Sequence, residues 1–97
     1  MITENIVLDS DLKRDLKHLS IDIDKYVSLM LVDGAKYILD NNVNVKKIIA
    51  NSYEPFTMKI DEGLKNKIKI FCKNEDIRIK DFWNEAGFIA IEKGGMF

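Results

Sequence analysis

Residues 6 to 39 recur as residues 58 to 91 at a fixed, gapless offset of 52 positions, and what recurs is the apolar pattern. Ile6, Leu8, Leu12, Leu16, Leu19, Val27, Met30, Leu31, Ile38 and Leu39 fall on Met58, Ile60, Leu64, Ile68, Phe71, Ile79, Phe82, Trp83, Ala90 and Ile91. Only Asp9/Asp61, Leu12/Leu64, Lys13/Lys65, Lys17/Lys69 and Asp24/Asp76 are identical, so the shared signal is one of structure. A unit this short cannot close a core alone. The two copies are therefore expected to fold against each other as one pseudo-symmetric domain over residues 1–97.

The offset divides the chain into a first repeat at 3–40, a joining segment at 41–54 and a second repeat at 55–93. In the second, Phe56, Met58 and Ile60 alternate with Thr57 and Lys59, the period of a strand, and Pro55 precedes them where its missing N–H does least harm. In the first, Ile6 and Leu8 alternate with Asn5 and Val7. Asp9 and Asp61 then stand where an N-cap is wanted, ahead of stripes at i, i+4 and i+7: Leu12, Leu16, Leu19 and Leu64, Ile68, Phe71. Polar breaks at Ile21–Asp24 and Asn74–Asp76 predict a turn. A second stripe follows, Val27, Met30, Leu31, Ile38 against Ile79, Phe82, Trp83, Ala90, with the small pair Gly34 and Ala86 allowing a close helix crossing. The expected fold is mainly α, with the two strands paired as a two-stranded antiparallel β-ribbon over four helices.

Composition narrows the class. A 97-residue chain with 46% hydrophobic and 32% charged residues is an ordinary globular mix, without a run long enough to span a membrane or the basic start of a signal peptide. A soluble, cytoplasmic protein is expected. One cysteine, Cys72, and one histidine, His18, supply neither an internal disulfide nor a zinc site, so no metal and no cofactor is expected. The net charge of −1 divides as −3 over residues 1–40 (five Lys/Arg, eight Asp/Glu), +1 over 41–54 and +1 over 55–97 (eight against seven).

Two segments, Asn5–Ser20 continuing to Tyr26-Val27-Ser28, and Phe56–Ile68 continuing to Ile79-Lys80-Asp81-Phe82, resemble the ribbon-helix-helix family of the Arc/MetJ/CopG class. Most members are homodimers; this chain is similar to the tandem, single-chain, TraY-like arrangement. The resemblance implies a ribbon-helix-helix pseudo-dimer binding double-stranded DNA, with the outward side chains of the ribbon reading base edges in the major groove. Those residues are Thr3, Asn5 and Val7 from the first strand and Thr57 and Lys59 from the second. It also implies phosphate contacts at the starts of the second helices, at Val27 and Ser28 and at Ile79 and Lys80, where free N–H groups and the helix dipole favour an anion. Implied partners are DNA, further copies of the chain along it, and a relaxase or other plasmid protein.

Val7 is apolar where readers are usually polar, and Tyr26 and Arg78 are poor caps for the second helices, which leaves Asp24 and Asp76 as the expected caps. Lys65, Lys69 and Lys73 share one helix face and read as solvated or as phosphate-tracking. His18 reads as a surface or core-edge residue, Phe82 and Trp83 as core, Cys72 as a small buried residue. The sequence holds no Ser/His/Asp set, phosphate loop or paired acids, and a non-enzyme is expected. Within DNA binding, a transcriptional repressor competes with a plasmid or mobile-element accessory factor for conjugation or partition. From outside it, the acidic first repeat motivates a protein-interaction module, antitoxin-like or otherwise, with little DNA affinity.

Overall fold

A computed structural model describes every residue, Met1–Phe97. The element order is β1 (Ile2–Asp9), α1 (Ser10–Ile23), α2 (Val27–Asn41), β2 (Tyr53–Ile60), α3 (Glu62–Glu75) and α4 (Ile79–Glu92). The strands pair antiparallel as one two-stranded sheet, and the chain is otherwise mainly helical, an order compatible with a ribbon-helix-helix-like fold. Both strands run longer than the alternation alone predicts, to Ile2 at one end and Tyr53 at the other. The added residues pair with Ile60 and Asp9 and so extend an existing ladder.

Asp9 and Asp61 cap the helices that follow the strands. The Asp9 carboxylate accepts from the Asp11 N–H at 2.8 Å and the Leu12 N–H at 3.4 Å, and Asp61 accepts from the Leu64 N–H at 3.1 Å. Each such cap stabilises by about 1 kcal/mol. The turn after each first helix depends on an aspartate in left-handed backbone, Asp24 at φ 53° and Asp76 at φ 55°. Their N–H groups return to the Ser20 carbonyl and to those of Cys72 and Lys73. These two residues therefore end α1 and α3. The expectation that they cap the second helices is wrong, because each is spent as the left-handed C-cap of the preceding helix and the next helix begins with its N-cap two residues further on. Tyr26 and Arg78 occupy the N-cap positions of α2 and α4, with no side-chain cap bond.

Beneath the ribbon, Leu8, Leu16, Met30, Leu31, Ile38, Ile60, Ile68, Phe82 and Trp83 are all but fully buried, as the stripes require. Phe82 packs edge-on against both Trp83 and Phe71. The helix pair α2 and α4 crosses at Gly34, where an added Cβ would overlap the Ala86 backbone carbonyl, so glycine sets the helix separation. The Trp83 indole N–H is the one buried side-chain polar group without a partner. Cys72 is buried, and burial pushes its thiol up to about 11, which keeps it protonated and inert at neutral pH. No helix is long and apolar enough to cross a membrane.

Candidate nucleic-acid interface

The register decides what the ribbon presents. Asn5 stands opposite Thr57, Thr3 opposite Lys59 and Val7 opposite Pro55. The central pair, Asn5 and Thr57, is also the pair matched by the 52-residue offset, and the register is symmetric about it. The Ser10 N–H donates to the Ser52 carbonyl at 3.1 Å, which places the even-numbered residues of β1 in hydrogen-bonded pairs and the odd-numbered ones in the closer, non-hydrogen-bonded pairs. Pro55 thus lies where its missing N–H removes no ladder bond. All six odd-numbered side chains, Thr3, Asn5, Val7, Pro55, Thr57 and Lys59, are exposed on one face, while Ile6, Leu8, Met58 and Ile60 are buried on the other. The structure brings the five expected readers into one row.

Within that row the Thr57 hydroxyl donates to Asn5 Oδ1 at 2.9 Å. This holds the amide in place, while Oδ1 keeps a second lone pair and Nδ2 both hydrogens. Lys59 has no ion-pair partner and stands free beside Thr3. Two other lysines brace the ribbon's flanks. Lys13 Nζ donates to the Pro55 carbonyl at 3.0 Å and approaches Glu54 at 3.8 Å, and Lys65 pairs with Glu4 at 3.5 Å. The latter pair removes Lys65 from the expected lysine stripe, leaving Lys69 and Lys73 exposed on that helix.

The four expected phosphate residues occupy the first two positions of their helices: Val27 and Ser28 in α2, Ile79 and Lys80 in α4. Helix geometry leaves those N–H groups without an intrahelical acceptor. The two ends differ in charge, however. At α4, Asp81 lies buried one position on and takes bonds from Arg78 Nε (2.9 Å), Arg78 Nη2 (3.0 Å) and the Ile48 N–H (3.0 Å). Burial pushes its carboxyl up, but the Arg78 and Ile48 hydrogen bonds and the charges of Arg78 and Lys80 outweigh this and hold it below the ordinary carboxylate value. Lys80 lies over the Tyr53 ring at 4.3 Å, so the start of α4 joins the joining segment and β2 in one cluster. At α2 the corresponding residues are Tyr26 and Leu29, both exposed and uncharged.

One positioning residue escapes the sequence reading altogether. Asn84 is fully buried in α4; its Oδ1 accepts the Asp9 N–H at 2.8 Å and its Nδ2 donates to the carbonyls of Val7 (2.9 Å) and Lys80 (2.8 Å). It satisfies the outer edge of β1 and fixes α4 against the ribbon. Its offset partner is Val32, so the matching edge of β2, at Lys59 and Asp61, has no such clamp. A groove with a volume of about 540 Å³ opens there instead, floored by Val32, Ile60 and Leu64. The only sequence signal is an amide side chain next to the apolar stripe, adjacent to Trp83.

His18 is exposed and no group of side chains is placed to hold a metal ion. No family model, curated protein or solved structure matches this chain.

Proposed function

We propose that the chain is a tandem ribbon-helix-helix pseudo-dimer that binds double-stranded DNA sequence-specifically through its ribbon. The observation that carries the reading is the single exposed row of Thr3, Asn5, Val7, Thr57 and Lys59, symmetric about Asn5 and Thr57 and flanked by the uncapped starts of α2 and α4. A two-stranded ribbon fits the major groove, about 12 Å wide. The held Asn5 amide offers the donor and acceptor that adenine's N7 and N6 require, Lys59 offers its ammonium to guanine O6 and N7, and Val7 and the Thr57 methyl suit a thymine methyl. The N–H groups of Val27, Ser28, Ile79 and Lys80 then meet phosphates on either side.

The two halves read differently because their side chains differ. Lys59 faces the groove where the symmetric position carries Val7, so the preferred site is asymmetric. The role this supports is that of a cytoplasmic accessory factor on a plasmid or mobile element, at a transfer origin or partition site alongside a relaxase or related protein, or of a transcriptional repressor. A second reading, a protein-interaction module on this scaffold, is favoured by the exposed apolar Tyr26 and Leu29 at the start of α2, where a phosphate-binding end would carry polar or basic groups.

The test is selection of bound duplexes from a random library at moderate salt, followed by fluorescence anisotropy on the selected site. Lys59→Ala and Asn5→Ala should each cost about 1 to 3 kcal/mol if the contact is a bidentate base contact. Far-UV circular dichroism should be unchanged, since both side chains lie outside the core. Absence of an enriched motif, or unchanged affinity in both variants, refutes the ribbon-reader assignment.

A further inference from the structure

The two repeats differ most sharply in what they expose where the first helix turns into the second. Ile21, Tyr26 and Leu29 line one concavity and are 79%, 76% and 51% exposed. Their offset partners in the second repeat are Lys73, Arg78 and Asp81, all charged. Three large apolar side chains gathered at one corner of one repeat only are not a requirement of the fold, because the other repeat makes the same turn without them. Asp22 and Asp24 stand beside this corner, exposed and without an ion-pair partner.

The joining segment supplies the complementary shape and charge. Its Ile48 N–H is tied to Asp81, and the residues on either side project from α4. Ile49 is 90% exposed and lies near Phe88, itself partly exposed. Lys46 and Lys47 are exposed and make no salt bridge. An apolar projection with two exposed cations therefore sits on the second repeat, and on the first a concavity whose three exposed apolar side chains stand beside two free anions; Lys25, which also lines it, is already neutralised by Asp33 at 2.6 Å. Both remain open within one chain, as their exposures show.

We infer that copies of this chain associate head to tail, with residues 46–49 of one copy seated in the concavity formed by Ile21, Tyr26 and Leu29 of the next. Lys46 and Lys47 then face Asp22 and Asp24, and Ile49 covers the apolar floor. Each copy carries one projection and one concavity, so the contact is heterologous and leaves a free surface at each end of any assembly. The inference stands independently of the DNA-binding reading. Should both hold, the chain forms a directional row along directly repeated subsites.

Sedimentation equilibrium of the full chain, over about two decades of concentration up to about 1 mM, reaches the range in which weak contacts form. The mean mass should rise with concentration and fall with added salt. Ile49→Asp and Tyr26→Asp should each remain monomeric, and circular dichroism should show both folded, since neither side chain belongs to the core. An equimolar mixture of the two should give a one-to-one dimer and nothing larger, because each variant retains the surface the other has lost. Lys46→Asp with Lys47→Asp should weaken association by about tenfold or more, and adding Asp22→Lys should recover part of it. A wild-type mass fixed at one chain, self-association of Ile49→Asp at wild-type strength, or a mixture that stays monomeric would each overturn the inference.

Discussion

Replacing Asn84 by valine gives the second repeat the residue that the first carries at the matched position, Val32. The side chains are close in size, so the change removes polar contacts with little change in packing. Three hydrogen bonds disappear: from the Asp9 N–H, and to the carbonyls of Val7 and Lys80. Lys80 loses least, because its carbonyl lies within α4 and keeps the acceptor role that the helix gives it. Val7 and Asp9 lose the partner of a strand edge that α4 covers. Leaving a buried donor or acceptor unmet costs about 1 to 3 kcal/mol each. A net loss of about 3 kcal/mol is therefore expected, which for a domain of this size lowers Tm by roughly 12 to 24 °C. Urea unfolding followed by the fluorescence of the single tryptophan, Trp83, measures the loss directly, and the Asp9 amide should exchange its hydrogen faster. A loss below about 1 kcal/mol with an unchanged dependence on urea would refute the clamp, as it would mean that water meets both edge groups. The control is Val32→Asn, beside the open groove, where no buried edge group waits for an amide and no matching gain is expected.

Gly34→Ala should destabilise by about 1 to 3 kcal/mol in a thermal melt, since its Cβ meets the Ala86 backbone, which has no flexible end to move aside. Leu16→Ala and Ile68→Ala, at matched buried positions, should each cost roughly 2 to 5 kcal/mol; a melt without loss would contradict their placement in the core. Asp81 gives a pH dependence of known sign. Its folded pKa lies below its ordinary value of 3.8, so it stabilises the fold above that value, and the contribution is lost as pH falls through the folded pKa. Asp81→Asn should flatten the acid limb of the stability curve and speed amide exchange at Ile48. Glu85 runs the other way: burial first, and the Glu92 charge second, raise its pKa above 4.5. Its carboxylate therefore opposes folding once ionised, and Glu85→Gln should raise the melting temperature at neutral pH.

Much of the local structure was written in the residue pattern. Asp9 and Asp61 cap α1 and α3 because a short carboxylate ahead of an apolar stripe needs only its own backbone neighbours to do so. The alternation about Phe56 and Ile6 was equally sufficient to sort inward from outward side chains. The same logic misassigned Asp24 and Asp76, where two local rules compete: an aspartate near a helix start is a cap, and an aspartate just past a helix end takes positive φ. Sequence spacing gives no means of choosing between those outcomes.

By itself, then, the sequence determined the 52-residue repetition, the elements within each copy and the face each element buries, since all of these follow from periods of two and 3.6 residues and from neighbours a few positions apart. The tertiary structure decided the register that sets Asn5 against Thr57, the clamp of Asn84 on Val7 and Asp9, and the docking of Ile48 on Asp81. These join groups separated by 52, 77, 75 and 33 positions. Such contacts form only once the two repeats have closed on a common core, where a buried amide or carboxylate must find partners that no local pattern specifies. The difference in charge and side chains between the two halves was legible in the sequence, whereas the register that sets the exposed ribbon residues side by side, and the clamp present on one strand edge only, belong to that second class.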